Sequence, residues 1–212
     1  MRRMPVMRRQ PERLVFIDEP KVRVAKLRSR RTSPGCVAAL RAGSGSRWIR
    51  TTESSLFNFF RLRNADGQLD TPELERETVY RRRATREERE TLFGRPEEVI
   101  EIERVRSLAG KQVTHEFSVI SASLFPGPAD RTPLPNTLYV FYQQAYSIII
   151  IRANEPLKAT PASPQTVDAL GLTKGIPVLE VRRQSIDVLD RVVELRLSQI
   201  LTQSYDYSIS LS

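Results

Sequence analysis

The chain has 212 residues, 40% of them hydrophobic, which suits one large domain or one domain with an appendage. Its single cysteine, Cys36, excludes an internal disulfide and predicts a reducing, cytoplasmic environment. The formal net charge of +9 arises within residues 1–50, where 14 Lys and Arg stand against 3 Asp and Glu, whereas residues 51–212 hold 20 against 22. The sequence therefore predicts two different segments that join near residue 50.

Residues 1–50 show little hydrophobic periodicity apart from a short predicted strand at residues 14–17. Arg, Ser, Pro and Gly dominate, as in disordered basic segments, which either bind nucleic acid through phosphates or remain solvated tails. Residues 43–46 have the composition of a flexible linker. Residues 1–10 lack the apolar core of a secretory signal, and the longest aliphatic run, residues 148–151, is too short to span a bilayer, so no membrane partner is expected.

The remaining sequence predicts a series of helices and strands that begins with an aromatic-rich stretch at residues 54–62. The predicted elements are a turn at 64–67, a strand at 78–84, a helix from a capping box at 85–88 to residue 93, strands at 99–108 and 112–121, a helix at 136–145, a strand at 147–158, a capped helix at 165–170, strands at 178–187 and 192–201, and an edge strand at 205–211. The order strand, helix, strand, strand occurs twice. This repeat predicts one antiparallel sheet with helices packed on one side, an α+β domain.

The register of the first long hairpin decides which side chains share a face of the sheet. A two-residue turn would set His115 opposite Arg104 and would mix charged with apolar residues on one face. A three-residue loop sets Glu116 opposite Arg104, and Thr114 opposite Arg106, and separates polar from apolar residues cleanly. We therefore predict the second register.

In that register two arginines and a glutamate converge on one face, Arg104, Arg106 and Glu116. Such a group either holds a small polar anion or forms a solvated cross-strand ion pair, and structural pairs are the commoner of the two. The only histidine, His115, points to the apolar face and has no cysteine or second histidine near it in the sequence. We predict no metal, no cofactor and no catalytic residue.

From about residue 54 to the C-terminus the chain resembles the UTRA domain, the effector-binding half of HutC-type members of the GntR transcriptional regulators. The resemblance rests on segments in a characteristic order and spacing, namely residues 55–60, 102–106 with Glu116 following, 125–127, 136–139, 169–172, 175–179 and 193–194. It implies the chorismate-lyase-like fold, a small polar metabolite as effector, a homodimer, and a regulator instead of an enzyme.

The resemblance also implies roles for single residues. Arg104 and Arg106 would hold the anionic end of the effector, and Glu116 would accept hydrogen bonds from its hydroxyls or amine. Glu194 matches a ligand contact of the family at the corresponding place in the second half. Relatives often have a tyrosine six residues after that glutamate, where this chain has Ile200, and this departure leaves the class of ligand open.

Two further candidates stand at the start of the helix predicted at 136–145. Thr137 and Tyr139 lie where free backbone N–H groups and the helix dipole favour an anion. The alternative interpretations are that Thr137 is a plain helix cap and that Tyr139 is a core ring with its hydroxyl at the surface.

Members of the family carry a winged helix-turn-helix domain before the UTRA domain. Here residues 38–40 and 43–48 resemble the glycine tip of the wing and its closing strand, but no recognition helix is found. We therefore divide the chain into a basic segment at 1–50, either a truncated DNA-binding domain or a tail from a shifted start or frame, and a UTRA domain at 51–212. An enzyme on the same fold, such as a chorismate pyruvate-lyase, and a metabolite-binding module without specific DNA binding are the alternatives.

The basic segment generates one prediction. We expect the purified chain to bind duplex DNA weakly, with strong salt dependence and no sequence preference, because phosphate contacts carry no sequence information. A gel-shift titration with unrelated duplexes at several salt concentrations measures this. Preference for one duplex at physiological salt would contradict the prediction and restore a working helix-turn-helix.

A second prediction concerns the two arginines of the hairpin. If they lie on an exposed face and hold a ligand, Arg104→Ala and Arg106→Ala should weaken effector binding at least about tenfold. The melting temperature should then change little, because an exposed ion pair contributes only about 0–1 kcal/mol.

Overall fold

A computed structural model divides the protein into two compact units, residues 1–58 and 59–212. The structure describes the backbone of residues 13–18, 21–26, 36–42 and 45–51, and both backbone and side chains of residues 61–70 and 72–209. Most of the aromatic stretch predicted to begin the folded part therefore lies outside the described residues.

The described strands of the first unit form one sheet in the order β2, β1, β3, β4. They are β1 Arg13–Asp18, β2 Lys21–Lys26, β3 Cys36–Ala42 and β4 Gly45–Thr51. β1 covers the strand predicted at 14–17, and β3 and β4 form an antiparallel hairpin where the sequence resembles a wing. The sequence predicted a largely irregular segment here, whereas the structure has these four strands. Strands pair through backbone hydrogen bonds, which do not require the alternation of apolar side chains that this segment lacks.

In the second unit seven strands form an antiparallel sheet in the order β10, β11, β12, β8, β7, β6, with β9 also paired to β11. The strands are β6 Glu73–Arg83, β7 Glu98–Leu108, β8 Lys111–Ser121, β9 Ile150–Asn154, β10 Leu157–Pro161, β11 Pro177–Asp187 and β12 Val192–Ile200. A separate short ladder joins β5 Leu62–Arg63 to β13 Asp206–Tyr207.

In the part of the chain that the structure describes, three α-helices accompany the sheet, and two of them begin with the caps that the sequence predicts. They are α1 Arg86–Thr91, α2 Leu138–Tyr146 and α3 Pro164–Leu170. Thr85 accepts a hydrogen bond from the backbone N–H of Glu88, whose carboxylate accepts one from the N–H of Thr85, and Ser163 caps α3. In the described part of the chain no helix has the length and apolar character needed to cross a membrane.

The predicted repeat is confirmed as two halves, β6-α1-β7-β8 and β10-α3-β11-β12, joined side by side through β8 and β12. On one face of the sheet α1 is followed by Leu92, which packs with Val99, and α3 packs through Leu170 against Val105. Helix α2 lies over the opposite face, where the hydroxyl of Tyr139 bonds to the sheet. The helices thus cover both faces, whereas the sequence predicted them on one.

The two halves are related by a pseudo-two-fold axis, which passes through the ladder between β8 and β12. Glu116 pairs with Ser198, and Glu194, the counterpart of Glu116, pairs with Ile120. Midway between these two pairs Ser118 lies opposite Arg196. These two residues therefore occupy equivalent positions on either side of a pseudo-two-fold axis.

The β7–β8 hairpin has the predicted register, although its turn differs from the prediction. Glu116 lies opposite Arg104, as the pattern of polar and apolar residues requires. The turn contains only two residues, which both have positive φ, 48° at Ala109 and 73° at Gly110. An extra residue in β8, Val113, forms a bulge that shifts the pairing by one position, and its side chain packs in the core cluster that contains Leu108 and Ile200.

The long strand predicted at 147–158 is interrupted. β9 and β10 both lie along the same edge of β11, and residues 155–156 separate them. Pro156 has no N–H to donate to the ladder, although its carbonyl accepts a hydrogen bond of 3.1 Å from the N–H of Arg182. At this interruption the side chain of Glu155 contacts Arg183.

Candidate functional site

The sheet face beneath α2 carries a buried cluster of charged side chains. The cluster consists of Arg104, Arg106, Arg183 and Arg196 with Glu77, Glu116, Glu155 and Glu194, and each of these side chains is at most 8% exposed. The formal charges of four arginines and four glutamates cancel. Because these side chains are buried, the hairpin does not carry the solvated ion pair that the sequence left as an alternative. A buried charge is costly unless it is paired and hydrogen-bonded, and here each charge is paired.

Arg104 holds the loop before α2 against the sheet. Its Nε and Nη2 atoms donate to Glu77 Oε2 at 2.8 and 2.5 Å. Its Nη1 and Nη2 atoms also donate to the carbonyls of Asn136 and Pro135, at 3.2 and 3.0 Å. Burial and the nearby charge of Arg106 lower the pKa of Arg104. Arg104 is therefore a structural tie between β6, β7 and this loop.

Arg106 joins the same loop to Glu116. Its Nε donates to Glu116 Oε1 at 2.8 Å, and its Nη atoms donate to the side chain and the carbonyl of Asn136. Burial would raise the pKa of Glu116, but the charges of Arg106 and Arg196 and the hydrogen bond from Arg106 lower it to about 2. Glu116 is thus a carboxylate held ionised by arginines on two sides.

Glu194 is the second buried carboxylate and accepts hydrogen bonds from four side chains. They come from Tyr139 at 2.9 Å, Tyr142 at 3.1 Å, Ser185 at 2.7 Å and Arg196 at 2.8 Å. Burial would raise the pKa of Glu194, but Arg196 and the other donors lower it. Burial and the charge of Glu194 raise the pKa of both tyrosines, which stay protonated and able to donate.

Arg196 stands between the two buried glutamates. Its Nη2 bonds to Glu194, its Nη1 lies 3.7 Å from Glu116 Oε2, and its guanidinium carbon lies 5.2 Å from the ring centroid of Tyr139. The charges of Glu194 and Glu116 raise its pKa well above the usual value in spite of burial. The guanidinium therefore compensates two carboxylates from the centre of the pseudo-symmetric face.

A second set of contacts extends the cluster to both ends of the described part of the unit. Arg183 donates to Tyr139 at 3.3 Å and pairs with Glu155. Glu155 also accepts from Arg61, just before β5, and from Tyr207 in β13, each at 3.1 Å. The carboxylate of Glu155 therefore connects the region of β5 and β13 to Arg183, whose guanidinium donates to Tyr139.

The structure brings five of the six predicted site residues into one cluster: Arg104, Arg106, Glu116, Tyr139 and Glu194. The sixth, Thr137, is half-buried at the N-cap position of α2, and its side chain makes no capping hydrogen bond, so the plain-cap interpretation is wrong.

Tyr139 is 4% exposed with its hydroxyl bonded inside the site, which contradicts a core ring with a surface hydroxyl. His115 lies on the opposite face, as predicted, and its ring nitrogens bond to Thr166 at 3.0 Å and Glu103 at 2.9 Å. Among the described residues, no group of three or more His, Cys, Asp or Glu could hold a metal ion.

Sequence reasoning missed several members of the cluster. Arg196 had a usable signal, since it follows Glu194 by two residues on the same strand and therefore shares its face. Ser185 had the same kind of signal, because it lies opposite Glu194 in the hairpin. Glu77 and Asn136 had none, because their contacts with Arg104 and Arg106 depend on pairing and loop packing between distant parts of the chain.

Comparison with known proteins matches the UTRA domain model to residues 67–206. The transcriptional regulator Rv0792c of Mycobacterium tuberculosis, named as HTH-type, is 32% identical over 88 residues, which cover 42% of this chain and 31% of that protein. This chain therefore aligns with about a third of the length of that curated relative.

Solved structures with the same fold include the ligand-binding domain of a protein described as a GntR-family transcriptional regulator from Bordetella bronchiseptica. It is 28% identical, with a TM-score of 0.64, and the match covers 73% of this chain and 97% of that one. The effector domain of PhnF from Mycobacterium smegmatis is 19% identical, with a TM-score of 0.57, over 66% of this chain and 86% of that one, and supports the fold alone. The predicted resemblance and the fold it implied are confirmed.

The sequence alone predicted that Arg104→Ala would change the melting temperature little. Because the Arg104 side chain is buried and paired, we now expect this substitution to destabilise the fold. Arg104→Ala leaves Glu77 Oε2 and the carbonyl of Pro135 without the donor that they have in the unsubstituted chain, and should lower the free energy of unfolding by about 3–5 kcal/mol. Urea denaturation measures the change, with Arg86→Ala as control, because the side chain of Arg86 is 90% exposed and pairs only along its helix. Equal, small effects of both substitutions would show that the buried pair does not stabilise the fold.

The depressed pKa of Glu116 generates a prediction about acid stability. The carboxylate ionises near pH 2 in the folded state and near 4.5 when unfolded, so its stabilising effect is complete above pH 4.5 and is lost as pH falls towards 2. Glu116→Gln should therefore lose less stability than the unsubstituted chain between pH 4.5 and 2. Urea denaturation at several pH values tests this, with Glu87→Gln, at an exposed position, as control. Parallel curves for the chain with and without Glu116→Gln would contradict the prediction.

Proposed function

Because the chain belongs to the UTRA domain family, we propose that it serves as the effector-binding domain of a GntR/HutC-type transcriptional regulator in the cytoplasm. Its effector is a small polar metabolite with an anionic group. The regulator works as a homodimer, and DNA is its second partner. The proposal combines the family relationship with the charged cluster beneath α2.

The observation that carries this proposal is the group of paired charges under the helix. Guanidinium groups offer planar donors to a carboxylate or phosphate, and carboxylates accept from hydroxyls or an amine. The proposed ligand residues are Arg104, Arg106, Glu116, Thr137, Tyr139 and Glu194. A core that needed only stability would favour apolar residues here, since replacing buried ion pairs by hydrophobic groups is often neutral or stabilising.

The loop before α2 provides the mechanism by which binding changes the protein. Its carbonyls at Pro135 and Asn136 accept from Arg104 and Arg106, so a ligand that takes these donors releases the loop and the start of α2. The effector then favours one arrangement of the loop over the other. By linkage, DNA affinity changes by the same coupling free energy, typically about 1–3 kcal/mol.

An enzyme on the same fold is less well supported. The family model and the similar structures belong to regulator domains, and no contact in the cluster favours a lyase reaction. A binding module without specific DNA contact differs from the regulator only in the first unit, and the DNA titration described above distinguishes the two.

A thermal-shift screen tests the proposed function. We expect at least one compound from sets of sugar phosphates, amino acids and aromatic carboxylates to raise the melting temperature, because a ligand at 100 times its dissociation constant adds about 2.7 kcal/mol. For a unit of this size that corresponds to a shift of roughly 5–10 °C. Tyr139→Phe, which removes one hydroxyl of the site, should reduce the shift. If no compound stabilises the protein, the proposed range of effectors is wrong, and if Tyr139→Phe leaves every shift unchanged, the proposed ligand site is wrong.

A further inference from the structure

Two buried polar atoms among the described side chains have no hydrogen-bond partner in the protein, and they lie opposite each other. They are the Nε atom of Arg196 and the Oγ atom of Ser118. Arg196 is 9% exposed and Ser118 is 1% exposed. Leaving a buried donor unsatisfied costs free energy, so an acceptor that bonds to both groups would recover that free energy.

The arginines predicted from the sequence as anion anchors are already engaged. Arg104 directs its donors to Glu77 and two loop carbonyls, and Arg106 directs its Nε and both Nη atoms to Glu116 and Asn136. A ligand that used them would first have to displace those acceptors. Arg196 differs, because its two Nη atoms face the glutamates while its Nε–H has no acceptor.

The ladder between β8 and β12 places the two residues that carry these groups side by side. Directly opposed residues of an antiparallel pair have Cβ atoms about 4.5–5.5 Å apart. Both side chains lie on the face of Glu116 and Glu194, because Arg196 contacts both carboxylates and Ser118 alternates with Glu116 along β8. A guanidinium N–H and a hydroxyl, both able to donate, thus belong to neighbouring side chains on one face of the sheet at the pseudo-two-fold axis.

We propose that Arg196 and Ser118 form the anion-binding subsite of the effector pocket and determine its specificity for a carboxylate or phosphate oxygen. The inference rests on the proposed function and adds to it the residues that meet the negative charge. The anion accepts from Arg196 Nε and Ser118 Oγ, and the flanking Glu116 and Glu194 remain for donor groups of the same molecule. Arg104 and Arg106, whose donors are held by the loop before α2, contact the ligand only when that loop is released.

The decisive variant is Ser118→Ala. Because its hydroxyl has no hydrogen-bond partner among the described residues, its removal should leave the melting temperature unchanged or slightly raised without anion. The matched control is Ser185→Ala, whose hydroxyl donates to Glu194 at 2.7 Å and whose loss should lower the melting temperature. A second variant, Arg196→Lys, keeps the positive charge between the glutamates but removes the Nε–H.

The measurement is the melting temperature during titration with inorganic phosphate and, in a separate arm, with acetate, at ionic strength held constant with sodium chloride. We expect the unsubstituted chain to be stabilised by at least one of the two anions, which also tells phosphate from carboxylate. The apparent affinity should fall about tenfold in Ser118→Ala and at least as much in Arg196→Lys.

The titrations and the metabolite screen together separate a failure of the anion subsite from a failure of the proposed effector-binding function. If neither anion stabilises the unsubstituted chain, or if both variants respond as it does, the subsite is overturned. If a metabolite from the thermal-shift screen stabilises the unsubstituted chain and both variants equally, the effector-binding function stands and only the assignment of Arg196 and Ser118 fails. If phosphate or acetate binds through the subsite while the screen gives no metabolite, the subsite stands and the proposed range of effectors is wrong.

Discussion

The mutual compensation of eight buried charges is the constraint on which the rest of the second unit depends. Each arginine beneath α2 faces at least one carboxylate, and removing any member leaves its partner charged in a medium that does not solvate it. This requirement determines the loop before α2, whose carbonyls complete the donors of Arg104 and Arg106. The same requirement explains the position of α2, which covers the polar face of the sheet, whereas α1 and α3 lie on the apolar face.

Local patterns in the sequence predicted the parts of the fold that depend on neighbouring residues. The capping box at Thr85 and the cap at Ser163 were predicted because a cap involves only three or four consecutive residues. The hairpin register was predicted because alternation along β7 and β8 leaves one arrangement that separates polar from apolar side chains. The bulge at Val113 was not predictable, because a β-branched residue in a bulge looks the same in sequence as one in a regular strand.

The candidate site was predicted in part, for a similar reason. Arg106 and Glu116 lie on adjacent strands of one hairpin, so periodicity alone places them together. Glu77 reaches Arg104 through the pairing of β6 with β7, and Glu155 contacts Arg183 at the break between β9 and β10. Such contacts join residues far apart in the chain, and no local pattern determines them.

The position of Ser118 and Arg196 on the pseudo-two-fold axis has a consequence for how a ligand is oriented. In a site with true two-fold symmetry, a molecule turned by half a revolution would meet the same groups and bind equally well both ways. The paired glutamates, Glu116 and Glu194, preserve that symmetry, because each half supplies one. The axis position holds a serine in one half and an arginine in the other, so the two orientations place the ligand's charge against different groups. The two halves thus supply two like carboxylates, and the one unlike pair at the centre would distinguish the two ends of the proposed effector.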